Sequence, residues 1–177
     1  ETLINFAAES LSKGKILAWF DDRFEFGPRA LGYRSILADP RDPDMKDKIN
    51  RLIKHREWYR PFAPSVLQEF QKDYFETDQP VPFMEKVALV REEKQKEIAA
   101  VVHEDGTGRL QTITRQENPS YWKLIDEFRK ITNTPVVLNT SFNDNDEPIV
   151  CTPKDAIRSF FGSGLHELYI GNYRVCK

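Results

Sequence analysis

Short apolar runs that read as buried strands recur along the chain, with amphipathic helical repeats between them. The strand-like runs are Lys15 to Phe20, Arg34 to Ala38, Ser65 to Leu67, Pro135 to Leu138 and Leu168 to Ile170. Leu3, Ile4, Ala7, Ala8 and Leu11 fall at helical spacing and stop at Gly14. Met45, Ile49, Leu52 and Ile53 mark a second helix, with Lys48, Arg51 and Lys54 on its exposed side. Asn118-Pro119 has N-cap and first-turn chemistry ahead of Trp122, Ile125, Phe128 and Ile131. Thr152-Pro153-Lys154-Asp155 opens a last helix that runs through Phe161 and stops at Gly162 or Gly164. Val87 to Val90 and Ile98 to His103 are β-rich, with the charged stretch Arg91 to Glu97 as a solvated turn between them. Glu104-Asp105-Gly106-Thr107-Gly108 is a hairpin signal leading into Arg109 to Thr114. Strands that alternate with helices yet include a hairpin predict an α/β fold, a mixed twisted sheet with covering helices. With no repeat, low-complexity stretch or internal linker, residues 1–177 read as one domain.

Charge narrows the functional classes. Lys plus Arg total 26 against 28 Asp plus Glu, a net charge of −2 that argues against bulk nucleic-acid binding. Local basic clusters therefore carry the meaning. Cys151 and Cys176 are the two cysteines, too few for a disulfide framework, and a reducing, cytoplasmic compartment is expected. No apolar run approaches the roughly 20 residues that span a bilayer, and no secretory pattern opens the chain. It starts without Met on a helical pattern, the expectation for a domain excised from a longer protein or for a processed chain.

The run from Glu25 to Arg41 places Arg29, Arg34 and Ser35 between Gly27-Pro28, Gly32 and a short apolar stretch. A stiff frame of this kind holds cations and a hydroxyl beside a strand, which suits a phosphate or a carboxylate. Lys54, His55, Arg56 and Arg60 form a second basic cluster, at a helix end and the rigid Trp58-to-Pro64 connection, and Arg109 follows a glycine turn. The alternatives are solvated surface cations, or an arginine pairing a buried Asp21 or Asp39. Leu138-Asn139-Thr140-Ser141-Phe142-Asn143 is a buried strand ending in amides and hydroxyls, where α/β sheets commonly bind ligands, or else a turn satisfying its own backbone. His103 is a candidate general base or a packed strand residue. Neither standard phosphate loop, no zinc spacing, no calcium loop and no nucleophile elbow is present. A site built from these residues works by positioning and electrostatics, without a metal ligand set or a protein nucleophile.

Four separated motifs share one resemblance. Glu25 to Arg41, Tyr59-Arg60-Pro61-Phe62-Ala63-Pro64-Ser65-Val66, His103 to Thr112, and Asn139-Thr140-Ser141-Phe142-Asn143 with Glu147-Pro148-Ile149-Val150 resemble, in order, the C-terminal region of O-carbamoyltransferases. These are the nodulation-protein and antibiotic-tailoring enzymes. The resemblance implies a YrdC-like fold for this chain and a separate N-terminal, metal-holding, Kae1-like domain as its partner. It implies that the YrdC-like part takes ATP and carbamoyl phosphate and makes a carbamoyl-adenylate, whose carbamoyl group the Kae1-like part passes to an acceptor hydroxyl. Lys54, Arg60, Arg109, Asn139 and Ser141 match positions that would hold the nucleotide phosphates and the carbamoyl group. Arg29 matches a nucleotide contact, and Arg34, Ser35 and Thr140 would line the same pocket by proximity. Mg²⁺ is expected with ATP, held mostly by phosphates and water. The chain departs from the family pattern at Tyr33, where Asn is more usual, at Asp146, where Gly usually precedes Glu-Pro-Ile-Val, and at Asp21-Asp22. Asp146 adds negative charge near the Asn139 loop. The alternative function is a non-catalytic nucleotide- or anion-binding module that docks on a partner domain.

Overall fold

The structure, a computed structural model, describes residues 2–177. Helix α1 (Leu3–Ser12) leads into β1 (Leu17–Phe20), and β2 (Arg34–Ala38) returns antiparallel to it. Helix α2 (Met45–Ile49) continues into a wider π-helical turn, Asn50–Lys54, before β3 (Ala63–Leu67). Short elements follow: α3 (Gln71–Tyr74), β4 (Ala88–Leu89), α4 (Glu92–Gln95), β5 (Thr107–Gly108) and β6 (Gln111–Ile113). The C-terminal third holds α5 (Pro119–Thr132), β7 (Val136–Ser141), α6 (Pro153–Gly162), β8 (Glu167–Ile170) and β9 (Tyr173–Cys176).

Among the described residues, seven strands form one sheet in the order β6-β3-β7-β2-β1-β8-β9. The β3–β6 and β1–β8 pairs are parallel and the other neighbours antiparallel, so the sheet is mixed as expected. Side-chain alternation sends each central strand into two cores. Leu17, Leu37, Leu67 and Val137 pack against α1 and α5 through Ala7, Leu11, Tyr121 and Phe128. Ala18, Ile36, Val66 and Leu138 pack on the other side against Ile49, Ile53, Phe75 and Phe160. The caps follow from sequence: the Asn118 side chain accepts from Tyr121 N ahead of α5, and Thr152 with Asp155 forms a capping box on α6.

Several expectations change. Residues 98–103 form no strand; Ala99–Val101 is a 3₁₀ turn whose Ala100 N bonds Pro40 O, and Val101 is buried against the core. Glu92–Gln95 makes one helical turn inside the stretch read as a solvated turn. The Gly106 turn closes, with His103 N donating to Thr107 O, but its flanks do not make a hairpin. Instead β5 pairs with β4, while β6 adds parallel to β3. Strand β7 runs on to Ser141, because Asn139, Thr140 and Ser141 pair with Leu37, Ile36 and Ser35 of β2. Strand β9, absent from the sequence reading, pairs with β8 through the Gly171 turn. Lys54 is not on an exposed face: the π-helical turn carries it inward, and it is 3% exposed.

Candidate anion site

Lys54 ends the π-helical turn and reaches the end of β7. Its Nζ donates to Ser141 O at 2.6 Å, Asn143 O at 2.8 Å and Asn143 Oδ1 at 2.8 Å, with Ser141 Oγ 3.4 Å away. Ser141 Oγ in turn donates to Asn143 Oδ1 at 2.6 Å, and Asn143 Nδ2 to Glu147 O at 2.7 Å. One amino group therefore gathers the end of β7 and the segment that follows it. Asn143 was not among the sequence candidates. Its signal was available as a second amide two residues after Ser141, where a strand end turns.

Around Lys54 the field is positive. Burial pushes its pKa down to about 7, helped by the charges of Arg56 and Arg60 and partly relieved by Asp144. Arg56 is lowered to about 10 by burial and then by Arg60 and Arg109. Arg109 is lowered by burial and then by Arg29. Lys54, Arg56, Arg60, Arg109 and Arg29 are thus electrostatic neighbours, although they come from three separated segments. Within the cluster the Arg109 Nε is buried without a partner, and Arg60 has only a loose, exposed 3.8 Å pair with Glu57. Neighbouring cations that depress one another's pKa, one of them with a buried donor unmet, are an arrangement an anion would complete.

The glycine loop beside them is held from below. Glu25 Oε1 accepts from Leu31 N, Tyr33 N and Arg34 N at 2.8, 2.9 and 3.0 Å. Asn139 Nδ2 donates to Ala30 O at 3.2 Å, and Gln111 Nε2 to Leu31 O at 3.0 Å. Gly32 has φ +101°, and a Cβ there would lie 2.2 Å from the Tyr121 ring. This fixes the backbone that carries the exposed Arg29.

The sequence candidates therefore separate. Lys54, Arg60, Arg109 and Arg29 belong to one positive cluster, and Ser141 joins it through Lys54. Asn139, 1% exposed, instead lies on the α1/α5 side among Ser65, Gln111 and the Ala30 carbonyl, with its Oδ1 buried and unpartnered. Arg34 is stacked 3.5 Å over the Phe20 ring and donates to the carbonyls of Asp21, Asp22 and Tyr33. Ser35 is fully buried and accepts from Gly32 N at 3.0 Å. Thr140 is half-buried opposite Ile36, on the face of Leu138. His103 Nδ1 bonds Thr107 Oγ1 at 2.9 Å, and burial lowers its pKa. Asp146 takes a left-handed backbone, φ +60°. A glycine accepts that conformation freely, which accounts for the glycine expected there.

An open cleft of about 740 Å³ shares Arg56 with the cluster; its lining mixes the basic Lys48, Arg51 and Arg56 with the acidic Asp44, Asp47 and Glu57, beside Asn50, His55 and Trp58. Among the described residues, no group of three or more His, Cys, Asp or Glu is placed to hold a metal ion. No helix of the described residues is long and apolar enough to cross a membrane.

The family model for the carbamoyltransferase C-terminus matches residues 8–177. The chain belongs to this carbamoyltransferase C-terminal family. It is 51% identical to the nodulation protein NolNO of Sinorhizobium fredii over 174 residues, covering 97% of this chain and 26% of that protein. It is 48% identical to the nodulation protein NolO of Bradyrhizobium diazoefficiens over 180 residues, covering all of this chain and 33% of that one. This carbamoyltransferase C-terminal chain thus spans about a quarter to a third of the length of these relatives. Its fold is that of a domain in full-length HypF in its phosphate- and nucleotide-bound form, with TM-score 0.66 at 20% identity over 98% of this chain and 25% of that one. It is also that of E. coli YciO, with TM-score 0.59 at 15% identity over 98% of this chain and 87% of that one. The fold is YrdC-like.

Proposed function

We propose that this carbamoyltransferase C-terminal domain binds ATP and carbamoyl phosphate and forms a carbamoyl-adenylate. The observation that carries the reading is the cluster of Lys54, Arg56, Arg60, Arg109 and Arg29, mutually repelling and with the buried Arg109 Nε left without a partner. Hydrolysis of carbamoyl phosphate yields carbamate and inorganic phosphate. A carbamate oxygen then attacks the α-phosphorus of ATP, the bond to the β-bridging oxygen breaks, and pyrophosphate leaves. Both reactants are anionic, so the barrier contains their repulsion and the charge growing on the leaving group, which fixed cations offset. In this reading Lys54, Arg60 and Arg109 face the phosphates and Arg29 contacts the nucleotide from the rim. Ser141 and Asn143 hold Lys54 and offer hydroxyl and amide groups to the carbamate. Asn139 serves through the Ala30 loop. Mg²⁺ arrives on the phosphate oxygens. The carbamoyl group then passes to an acceptor hydroxyl in an N-terminal, Kae1-like domain of the longer chain.

Calorimetry with ATP and carbamoyl phosphate, singly and together, tests binding, and pyrophosphate release with both tests the chemistry. Binding of neither ligand to the folded chain overturns the reading. Binding with no pyrophosphate release, also when the full-length protein is assayed, favours the module that only binds and docks.

A further inference from the structure

Like charges crowded on one short segment splay apart unless something holds them. Arg56 and Arg60 sit on a loop that leaves the π-helical turn through His55 in a left-handed conformation, φ +46°. The loop has no regular secondary structure of its own until β3 begins at Ala63. Its geometry is set by Asn50, the first residue of the π-helical turn, 1% exposed. Asn50 Oδ1 accepts from Arg56 Nε at 2.7 Å. Asn50 Nδ2 donates to Trp58 O at 3.2 Å and to Arg60 O at 3.1 Å. The Asn50 carbonyl takes His55 N and, at 3.2 Å, Arg56 N. A single residue thus tethers one cation by its side chain and the other by its backbone.

The chemistry admits few replacements. A guanidinium needs an acceptor, and two carbonyls need N–H donors, from one short side chain; a carboxamide supplies both. A carboxylate would keep Arg56 and set its second oxygen against two carbonyls. The π-helical turn belongs to the same device. An insertion of this kind shifts the register of a helix and frequently marks functional sites. Here the same turn directs Lys54 to Ser141 and Asn50 to the loop.

We infer that Asn50 is a positioning residue of the anion site, holding Arg56 and Arg60 at their spacing before a phosphate arrives. The inference rests on reading the cluster as a phosphate site. It acts by preorganisation, since cations already assembled do not have to be brought together at the expense of binding.

The test is a double-mutant cycle in ATP affinity, measured beside thermal unfolding. Asn50→Ala is expected to weaken ATP binding about tenfold in the parent chain, and no more than about threefold in an Arg60→Ala background. Its cost in melting temperature should be the same in both, because that part is structural. Equal loss of affinity in the two backgrounds, or parent-like affinity in folded Asn50→Ala, overturns the role. If Asn50→Ala does not fold, Asn50→Asp removes only the two donors and is put through the same cycle; if neither folds, Asn50 is a stability residue and the inference falls. If the parent chain itself does not bind ATP, the phosphate-site reading falls and takes this role with it.

Discussion

The lowered pKa of Lys54 predicts that binding of the proposed ligand takes up a proton. In the free chain, burial and the charges of Arg56 and Arg60 put it at about 7, against an ordinary 10.5. A polyphosphate bound among these cations would supply the missing negative charge and return the Lys54 pKa toward its ordinary range. A group with pKa about 7 is protonated in roughly one molecule in ten at pH 8, so full protonation in the complex takes up ~0.9 proton there. The same arithmetic gives ~0.5 proton at pH 7 and ~0.1 at pH 6. Phosphate monoesters lose their last proton near pH ~6, so at pH 8 the ligand itself contributes little. Calorimetric titration of ATP in buffers of different ionisation enthalpy reads the uptake as a slope. Lys54→Met should abolish that slope and weaken binding by at least about tenfold, the worth of a charge-assisted contact. A zero slope at pH 8, or the same slope in Lys54→Met, refutes the argument. Stability carries the opposite sign to an ordinary ion pair. The unfolded chain holds this proton up to its ordinary pKa and the folded chain releases it near 7, so stability of the free chain rises with pH across that window.

Three other perturbations are worked from the geometry. Gly32→Ala places a methyl 2.2 Å from the Tyr121 ring on a backbone at φ +101°, and should cost about 3 kcal/mol in urea unfolding. Asp146→Gly relieves a left-handed non-glycine residue and removes a carboxylate near the Asn143 segment; melting temperature should hold or rise slightly and ATP affinity should increase. Burial raises the Glu167 pKa, but hydrogen bonds from Arg174, Lys15, Tyr169 and Ser10 outweigh it and hold the carboxyl at about 2. Glu167→Gln should therefore cost about 3 kcal/mol near neutral pH. That difference should shrink as pH falls from the ordinary carboxylate range through about 2, and a pH-independent difference would show that the charge is not its source.

What was legible in the sequence was local. Helices α1, α5 and α6 carry apolar spacing, and the latter two also carry explicit caps, so each announces itself within a dozen or so residues. The apolar runs behind β1, β2, β7 and β8 are read the same way. Strand order is a different matter, because it is decided by which faces pack. Nothing near Arg109 says that β6 will add parallel to β3 rather than fold back on residues 98–103, which pack as a 3₁₀ turn instead. The π-helical turn was equally hidden, since Met45, Ile49 and Ile53 continue one apolar stripe through it. Its consequence is that Lys54, which helical spacing puts on the solvent side, turns inward.

The same limit explains why the motif Asn139-Thr140-Ser141 divides. As a loop, its three side chains would face one ligand together. Because the strand continues to Ser141, alternation turns Thr140 to the face of Leu138 and leaves Asn139 and Ser141 on the other, where their depth separates them: Asn139 sits among the buried amides beneath Ala30, and Ser141 at the strand's end, where Lys54 meets its carbonyl. A linear match assigns residues to a site, but the pleat decides which of them can touch the ligand and which act on it through the backbone. For Asn139 the pleat favours the second role. Its amide holds the Ala30 carbonyl of the loop that carries Arg29, so in the proposed site its contribution would reach the anion through that cation's position.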